Sequence, residues 1–523
     1  MKKILSMLLV FAMALTCCFG AVASAEADKV VVGITIDPGN IGPFQGMSAG
    51  RIGILFTTYE FLVTKVNGER VNCLAKEITQ VDEKTVDVEI NDVIVDLNDV
   101  IVDLDDYIVD QAGNPLTAAD VAWSYQSGMD SGNLPKLAAI ASVEAKDDYT
   151  VRFVFNELSA GDLDALLMEC PIVTRAAYEA SPDQMATDPV TTSAYQVTEY
   201  VSGSKIVYKN TGKYWQTDDS LVPMTSRHNV ENIEIDIIPD TAQLTNALKT
   251  RAIDVSVWIS ATDIADFKDQ PGFTVSKMPE NTTELFLFNC SEKSVFANNP
   301  DLRKAIAYAI DSELIAEGAY NGDARSVKTY GNTKYADYVE SWNDEPYYEY
   351  DFEKAKELYA ASGASNLNLK LMYVTSDETA MMATIIQAEL AELGINVELC
   401  GYDSQLFNQY KFDGADQWDL MLDEGASSTN LANVYKLAWD RNSYTHGGAL
   451  NYVKDDQLQS LLEAAMNEKT HNDETMNAFH QYLKEQCYGI GLVQKLSNVA
   501  HTDTIKTLET CFRGQVLPGA CEY

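Results

Sequence analysis

The chain has 523 residues, 46% of them hydrophobic and 22% charged, an ordinary globular composition too long for one compact core. Its 38 Lys and Arg stand against 78 Asp and Glu, a formal net charge of −40. A surface of that sign repels nucleic-acid phosphates and anionic lipid, so neither is expected as a partner. The acids are spread along the chain rather than blocked, as on a solvated face.

The first 25 residues read as a signal peptide. Lys2 and Lys3 precede the apolar run Ile4–Leu15, and Ala23-Ser24-Ala25 supplies the small residues that a signal peptidase reads. The run is too short to cross ~30 Å of hydrocarbon at about 1.5 Å per residue, so export without anchoring is expected, with cleavage near Glu26. A second route competes. Leu15-Thr16-Cys17-Cys18 is similar to a bacterial lipoprotein signal that would lipidate Cys18, although Cys17 stands where a small residue is usual. Both routes place the protein outside the cytoplasm, in a periplasm or on the outer face of the cell membrane.

Beyond the leader, Val30–Ile34 reads as a strand ending in the Gly/Pro loop 37–43, followed by a helix carrying Ile52, Leu55 and Tyr59. Asp82–Ile90 and Asp147–Phe155 are each a polar turn feeding an alternating strand. Between them lies a seven-residue repeat, Asp92–Asn98, Asp99–Asp105 and Asp106–Asp110. An odd period sends equivalent side chains to opposite faces of one strand, so short strands broken at 97–99 and 104–106 are expected in an enlarged hairpin. A calcium loop would need a Gly and a terminal Glu that the repeat lacks. Thr117-Ala118-Ala119-Asp120 resembles a capping box opening a helix with Val121 and Tyr125 on one face.

Further along, Ile233, Ile235 and Ile237 alternate, a helix carries Leu244, Ala247 and Leu248, and Ile253, Val255 and Val257 return as a strand, giving a mixed sheet with a crossover helix. Leu302, Ile306, Ile310 and Leu314 repeat at i+4, which predicts one long helix from Asp301. Met382, Ile386, Leu390 and Leu393 predict another, stopped by Gly394 before the strand Ile395–Leu399. The cysteines after the leader are Cys73, Cys170, Cys290, Cys400, Cys487, Cys511 and Cys521. Free buried thiols are expected for most, and only Cys511 and Cys521 are close enough to suggest a local bridge.

The chain shows no catalytic constellation. Gly46-Met47-Ser48-Ala49-Gly50 fits G-x-S-x-G, but a loop rather than a strand precedes Ser48. The five histidines lack zinc-ligand spacing; His471 and His480 read as solvated, and His446 as a loop residue able to line a site. No cofactor motif is present. Asp423-Glu424 alone reads as an acidic turn.

Five segments in order resemble the peptide-binding family 5 of extracytoplasmic solute-binding proteins of ABC importers. Pro115–Val121 is similar to the family's PLTAEDV segment, and Thr192–Val197 with Lys213-Tyr214-Trp215 to its GTGPYKL…NPDYW stretch. Asp301–Asp311 is close to its VRQAISYAID helix, and Tyr350–Leu358 and Leu393–Val397 follow in order. Two departures stand out. Arg251-Ala252-Ile253-Asp254 replaces the family's G-E-I-D, and the stretch Asp423–Thr429 lacks the Asp that holds a peptide ammonium group in the family's G-W-x-x-D loop.

The resemblance implies an α/β, periplasmic-binding-protein-like two-lobe clamshell with mixed sheets and an extra β-rich subdomain. Lobe I would comprise 28–50, 190–282 and 494–523, the subdomain 51–189 with the repeat 92–110, and lobe II 283–493. The crossovers between lobes are expected near Leu285–Cys290 and Tyr488–Val493. It further implies a monomer without enzymatic activity, cofactor or metal, which captures a peptide and delivers it to the permease subunits of an ABC transporter. The candidate cleft residues are Asp423, Glu424, Ser427, Ser428, Trp215 and Asn289. An oligosaccharide or nickel ligand, or an exported surface-interaction role, is the alternative.

Overall fold

The computed structural model describes residues 29–523 apart from 67–68, 97–100, 160, 258, 260, 265, 269, 280–282, 328, 332, 334, 336, 426–429, 442–448, 468 and 512–513. The leader with Cys18, together with Ser427, Ser428 and His446, therefore lies outside the described residues. In chain order the strands are β1 (Lys29–Ile34), β2 (Val63–Val66), β3 (Glu69–Asn72), β4 (Ala75–Gln80), β5 (Thr85–Ile90), β6 (Asp92–Asp96) and β7 (Ile101–Tyr107). They continue with β8 (Ile140–Ala145), β9 (Thr150–Phe155), β10 (Tyr195–Val201), β11 (Lys205–Asn210), β12 (Asn232–Ile237), β13 (Val255–Val257) and β14 (Phe273–Pro279). The last are β15 (Glu284–Phe288), β16 (Ala324–Ser326), β17 (Asn368–Val374), β18 (Asn396–Tyr402), β19 (Leu420–Glu424) and β20 (Gly489–Thr502).

β20 is the spine of the molecule. Its second half pairs with β13 and β14, and its first half with β15 and β16, so two sheets merge into one array in the order β10-β11-β12-β1-β13-β20-β15-β19-β17-β18. The runs Leu285–Cys290 and Tyr488–Val493 belong to the second of these sheets and its flanks. β14 ends at Pro279 in the first sheet and β15 begins at Glu284 in the second, and β20 continues from the second sheet into the first past Val493. One apolar core gathers residues from Leu285 to Val493, including Trp342, Trp418 and Trp439. A second holds Phe44 to Met185 with Cys511, Leu517 and Ala520, and a third, with Val30, Ile233 and Val499, lies on the first sheet.

The antiparallel strands β5 and β9 pair directly, Thr85 opposite Val154 and Glu89 opposite Thr150, at the centre of the sheet β4-β5-β9-β8. Their alternation follows from one buried face: Val86, Val88, Val151 and Phe153 are buried. The repeat forms a separate two-stranded ribbon, β6 with β7. β7 runs through 104–106, but its ladder is interrupted there: Val93 pairs with Asp106 and Ile94 with Asp103, leaving 104–105 as a bulge, while the expected break at 97–99 lies outside the described residues. The helix Ala118–Ser131 starts as expected: the Asp120 carboxylate accepts from the Thr117 backbone N–H at 2.9 Å.

Three expectations need correction. The stripe from Leu302 is two helices, Pro300–Ala309 and Ser312–Tyr320. Asp311 interrupts it by capping the second helix through the N–H groups of Glu313 and Leu314, which leaves Leu314 48% exposed. Cys511 and Cys521 are both buried, and neither forms a disulfide. His480 is not solvated. The helix Asp473–Gln486 buries it with Met476, Phe479 and Leu483, its ring stacked on Trp342 at 3.7 Å and 4°.

Arg251 shows how the chain manages without the family's glycine. Its φ of 57° lies in the left-handed region. The guanidinium is tied down by Gly272 O at 3.1 Å, Asp503 at 3.0 Å and the face of Phe273.

Candidate functional site

Strand register locates a crevice. β1 runs parallel to and between β12 and β13, and β17 runs parallel to and between β18 and β19. Open parallel sheets form binding crevices at the carboxyl ends of such strands. β13 ends with Val257 opposite Val499, while β19 ends with Glu424 opposite Glu284, itself opposite Val493. Both sets of carboxyl ends therefore point at one stretch of β20, 493–499, which spans roughly 20 Å at about 3.3 Å per residue.

The first wall begins where β1 ends. The Gly/Pro loop that follows is held by Arg51, a buried side chain of the helix Ala49–Thr58. Arg51 Nε donates to Gly46 O at 3.0 Å, Nη2 to Gly42 O at 2.7 Å, and Nη1 to Pro38 O at 3.2 Å and to Asn40 O. One guanidinium thus satisfies the carbonyls of a loop that forms no ladder of its own. Ser48 is exposed at the start of the same helix with no strand before it, so the G-x-S-x-G match lacks the strand-to-helix elbow of a hydrolase.

The second wall is built on charge. Asp423 faces Lys411, Nζ to Oδ2 2.6 Å, and both side chains are about nine-tenths buried. Glu284 is 5% exposed and pairs with Lys495 at 2.8 Å, and Lys495 lies 4.0 Å from Glu424. Burial raises the Glu284 carboxyl above its usual range against the pull of Lys495, and the nearby Glu424 and Asp423 add to the rise. Burial also pushes the Tyr320 hydroxyl far up, with Glu284, Glu378 and Glu424 adding to it. Asp423 and Glu424 end β19 beside Glu284 at the start of β15, and of these three Glu424, with 53% of its side chain accessible, is the most exposed. Gly425 N–H then donates to Thr283 O at 2.8 Å, and a Cβ at Gly425 would lie 3.0 Å from that oxygen, so the turn runs flat against the neighbouring strand.

The structure thus separates the expected cleft residues. Glu424 is the exposed last residue of β19, and Asp423 is a strand residue locked in an ion pair. Asn289 lies just beyond Phe288, at the end of β15 remote from Glu284 and the crevice. Its amide donates to Ala415 O and Trp418 O at 2.7 Å each, so it ties two chain segments together. Trp215 is half-buried on the second core, and its Nε1 donates to Glu60 Oε2 at 2.9 Å. Glu60 is buried and also accepts from Tyr214 at 2.6 Å; burial raises its carboxyl, and the hydrogen bonds of Tyr214, Thr192 and Trp215 offset part of the rise. Sequence reading missed Glu284, Lys411, Lys495 and Arg51. A signal was present for Glu284 alone, a carboxylate entering the apolar run Leu285–Phe288.

Residues 99–446 match the family described as bacterial extracellular solute-binding proteins, family 5 Middle. The chain belongs to that family. It is 26% identical over 316 residues to heme-binding protein A of Haemophilus influenzae, covering 55% of each chain. It is 25% identical over 332 residues to the dipeptide-binding protein of Escherichia coli, covering 61% of this chain and 58% of that one. The chain thus matches these relatives over little more than half of their length. The structure of HbpA2 from Haemophilus parasuis superposes with a TM-score of 0.80 at 18% identity, covering 94% of this chain and 99% of that one. The fold is the two-lobe clamshell of periplasmic-binding-protein type.

Proposed function

We propose that this family 5 protein is the extracytoplasmic substrate-binding component of an ABC importer, capturing peptides between two lobes and handing them to a membrane permease. The carrying observation is that the carboxyl ends of β13 and β19 converge on residues 493–499 of β20. We take lobe I as 28–50, 190–282 and 494–523, the β-rich subdomain as 51–189, and lobe II as 283–493, working as a monomer by binding rather than turnover. The leader exports the chain, with Cys18 as the residue that would carry a lipid if the lipoprotein route is used. Among the described residues no helix is long and apolar enough to cross a membrane.

A peptide ligand suits the second wall. Glu424 is far more exposed than Glu284, 53% against 5% of the side chain, and is the carboxylate we take to receive an ammonium group. Ser427 and Ser428 follow it in sequence and are proposed to complete that end of the crevice. The E. coli dipeptide-binding relative supports the same ligand class.

The test is thermal unfolding of residues 26–523 with di- to hexapeptides, their N-acetylated forms, oligosaccharides and nickel. A ligand at ~100 times its dissociation constant adds about 2.7 kcal/mol if it binds only the folded form. Stabilisation by free-amino peptides that disappears on acetylation is expected. Stabilisation by sugar or nickel alone, or by nothing, overturns the peptide reading.

A further inference from the structure

The two sides of the molecule also meet away from β20. The short helix Asp162–Leu167 belongs to the 51–189 segment, and the helix Leu431–Trp439 to the 283–493 segment. The Asp162 carboxylate accepts from Asn433 Nδ2 at 2.6 Å and lies 3.7 Å from Lys436 Nζ, while Lys436 donates to Ser159 Oγ at 3.0 Å. Ser159 forms an isolated antiparallel bridge with Asn467. At Gly161, with φ 79°, an added Cβ would lie 2.0 Å from Asn430 Nδ2. Asn430 cannot swing aside without cost, because its side chain caps the helix Leu431–Trp439 through Asn433 N–H.

The character of this junction matters as much as its position. Ser159, Asp162, Asn433 and Lys436 themselves line a cavity of about 750 Å³, with Leu158 and Ala165 from one side and Leu437 and Leu462 from the other. The two surfaces thus touch through a few polar groups beside unfilled space. Such contacts exchange readily for water, unlike a packed interior.

We propose that Asp162, Asn433 and Lys436, with Gly161 as the clearance beneath Asn430, form a latch that sets ligand affinity from outside the crevice. The proposal rests on the reading of a ligand-closing clamshell. The latch contributes no ligand contact. It fixes how much of the ligand-free population is already closed, and apparent affinity falls in proportion when that fraction falls.

The experiment compares wild type, Asn433→Asp, Gly161→Ala and the exchange Asp162→Asn/Asn433→Asp. Small-angle scattering reads the radius of gyration with and without tri-alanine, and calorimetry reads the affinity for that peptide. Asn433→Asp sets two carboxylates face to face, and Gly161→Ala wedges a methyl group against Asn430. Each is expected to expand the ligand-free form and weaken tri-alanine binding on the order of ten-fold, with binding enthalpy per site retained. The exchange variant, which restores an amide–carboxylate pair, recovers both values. Unchanged radius and affinity in folded Asn433→Asp and Gly161→Ala overturn the latch. Failure of wild type to bind any peptide overturns the peptide reading instead, and the ligand-free radii still decide the latch.

Discussion

Lys411 and Asp423 form an ion pair of 2.6 Å in which both partners are about nine-tenths buried, while the next residue, Glu424, keeps half of its side chain in solvent. Adjacent carboxylates on one strand point to opposite faces, so one can be buried in an ion pair while its neighbour stays exposed. Removing one partner of a buried pair leaves a charge without compensation. Lys411→Met should therefore cost about 3–5 kcal/mol in denaturant unfolding, with little change in peptide affinity for the folded fraction. Glu424→Gln should do the reverse, leaving the unfolding midpoint in place and weakening free-amino peptides by about 1.5–3 kcal/mol in calorimetry.

Glu389 should make the fold more stable in mild acid than in base. Its Oε1 accepts from Asp311 N–H at 3.1 Å, and burial pushes its carboxyl up from 4.5 to about 8, with the Asp311 and Glu392 charges adding to the rise. A raised folded value means that the stabilising protonated form is fully held below the ordinary value and lost as pH rises through about 8. Glu389→Gln should raise the melting temperature at pH 8 to 9 and flatten the slope between pH 4.5 and 8. An unchanged profile would show that Glu389 ionises freely.

His480 works with the opposite sign. Stacked on Trp342 and bonded to the Tyr347 hydroxyl at 3.2 Å, it is pushed by burial from 6.5 to about 3, with Lys484 adding to the drop. The neutral ring is tolerated in the fold, whereas the unfolded chain takes up a proton below 6.5. Stability is thus expected to fall as pH drops from 6.5 towards 3, and His480→Gln should reduce that slope in pH-dependent chemical denaturation.

The repeat ribbon should be dispensable for folding. Asp92 and Tyr107 already pair across its base, so replacing 93–106 by Asn-Gly closes a two-residue hairpin there. The melting temperature should stay within about 2 °C of wild type. A large drop would show that the ribbon is needed to hold Tyr107 in its 2.6 Å hydrogen bond to Asp148 and its stack on Tyr149.

What sequence could reveal divided along the range of the interactions. The alternation in Thr85–Ile90 and Thr150–Phe155, the Thr117–Asp120 cap and the stop at Gly394, whose φ is 84°, were legible because each is decided within a few residues. The split at Asp311 was also locally encoded, by Asp311-Ser312-Glu313, but the apolar stripe running on through Ile310 hid it. The roles of Asp423, Glu424 and Asn289 were not legible. They depend on Lys411, Lys495 and Trp418, partners supplied by strand register and loop closure, which a single sequence does not display. His480 was misread because a polar neighbourhood in sequence does not say which face of a helix is covered.

β20 ties the two halves with an element that has hydrogen-bonded neighbours along its length, β13 and β16 on one edge, β14 and β15 on the other. A joint of this kind resists sliding and swivelling, since both would shear several ladders together, and yields most easily to added twist along the strand itself. Motion is thereby reduced to nearly one coordinate, with the ribbon acting as a torsion bar. The opposed faces return to the same alignment on every cycle, so a group on one side meets its counterpart by mechanical guidance rather than by search.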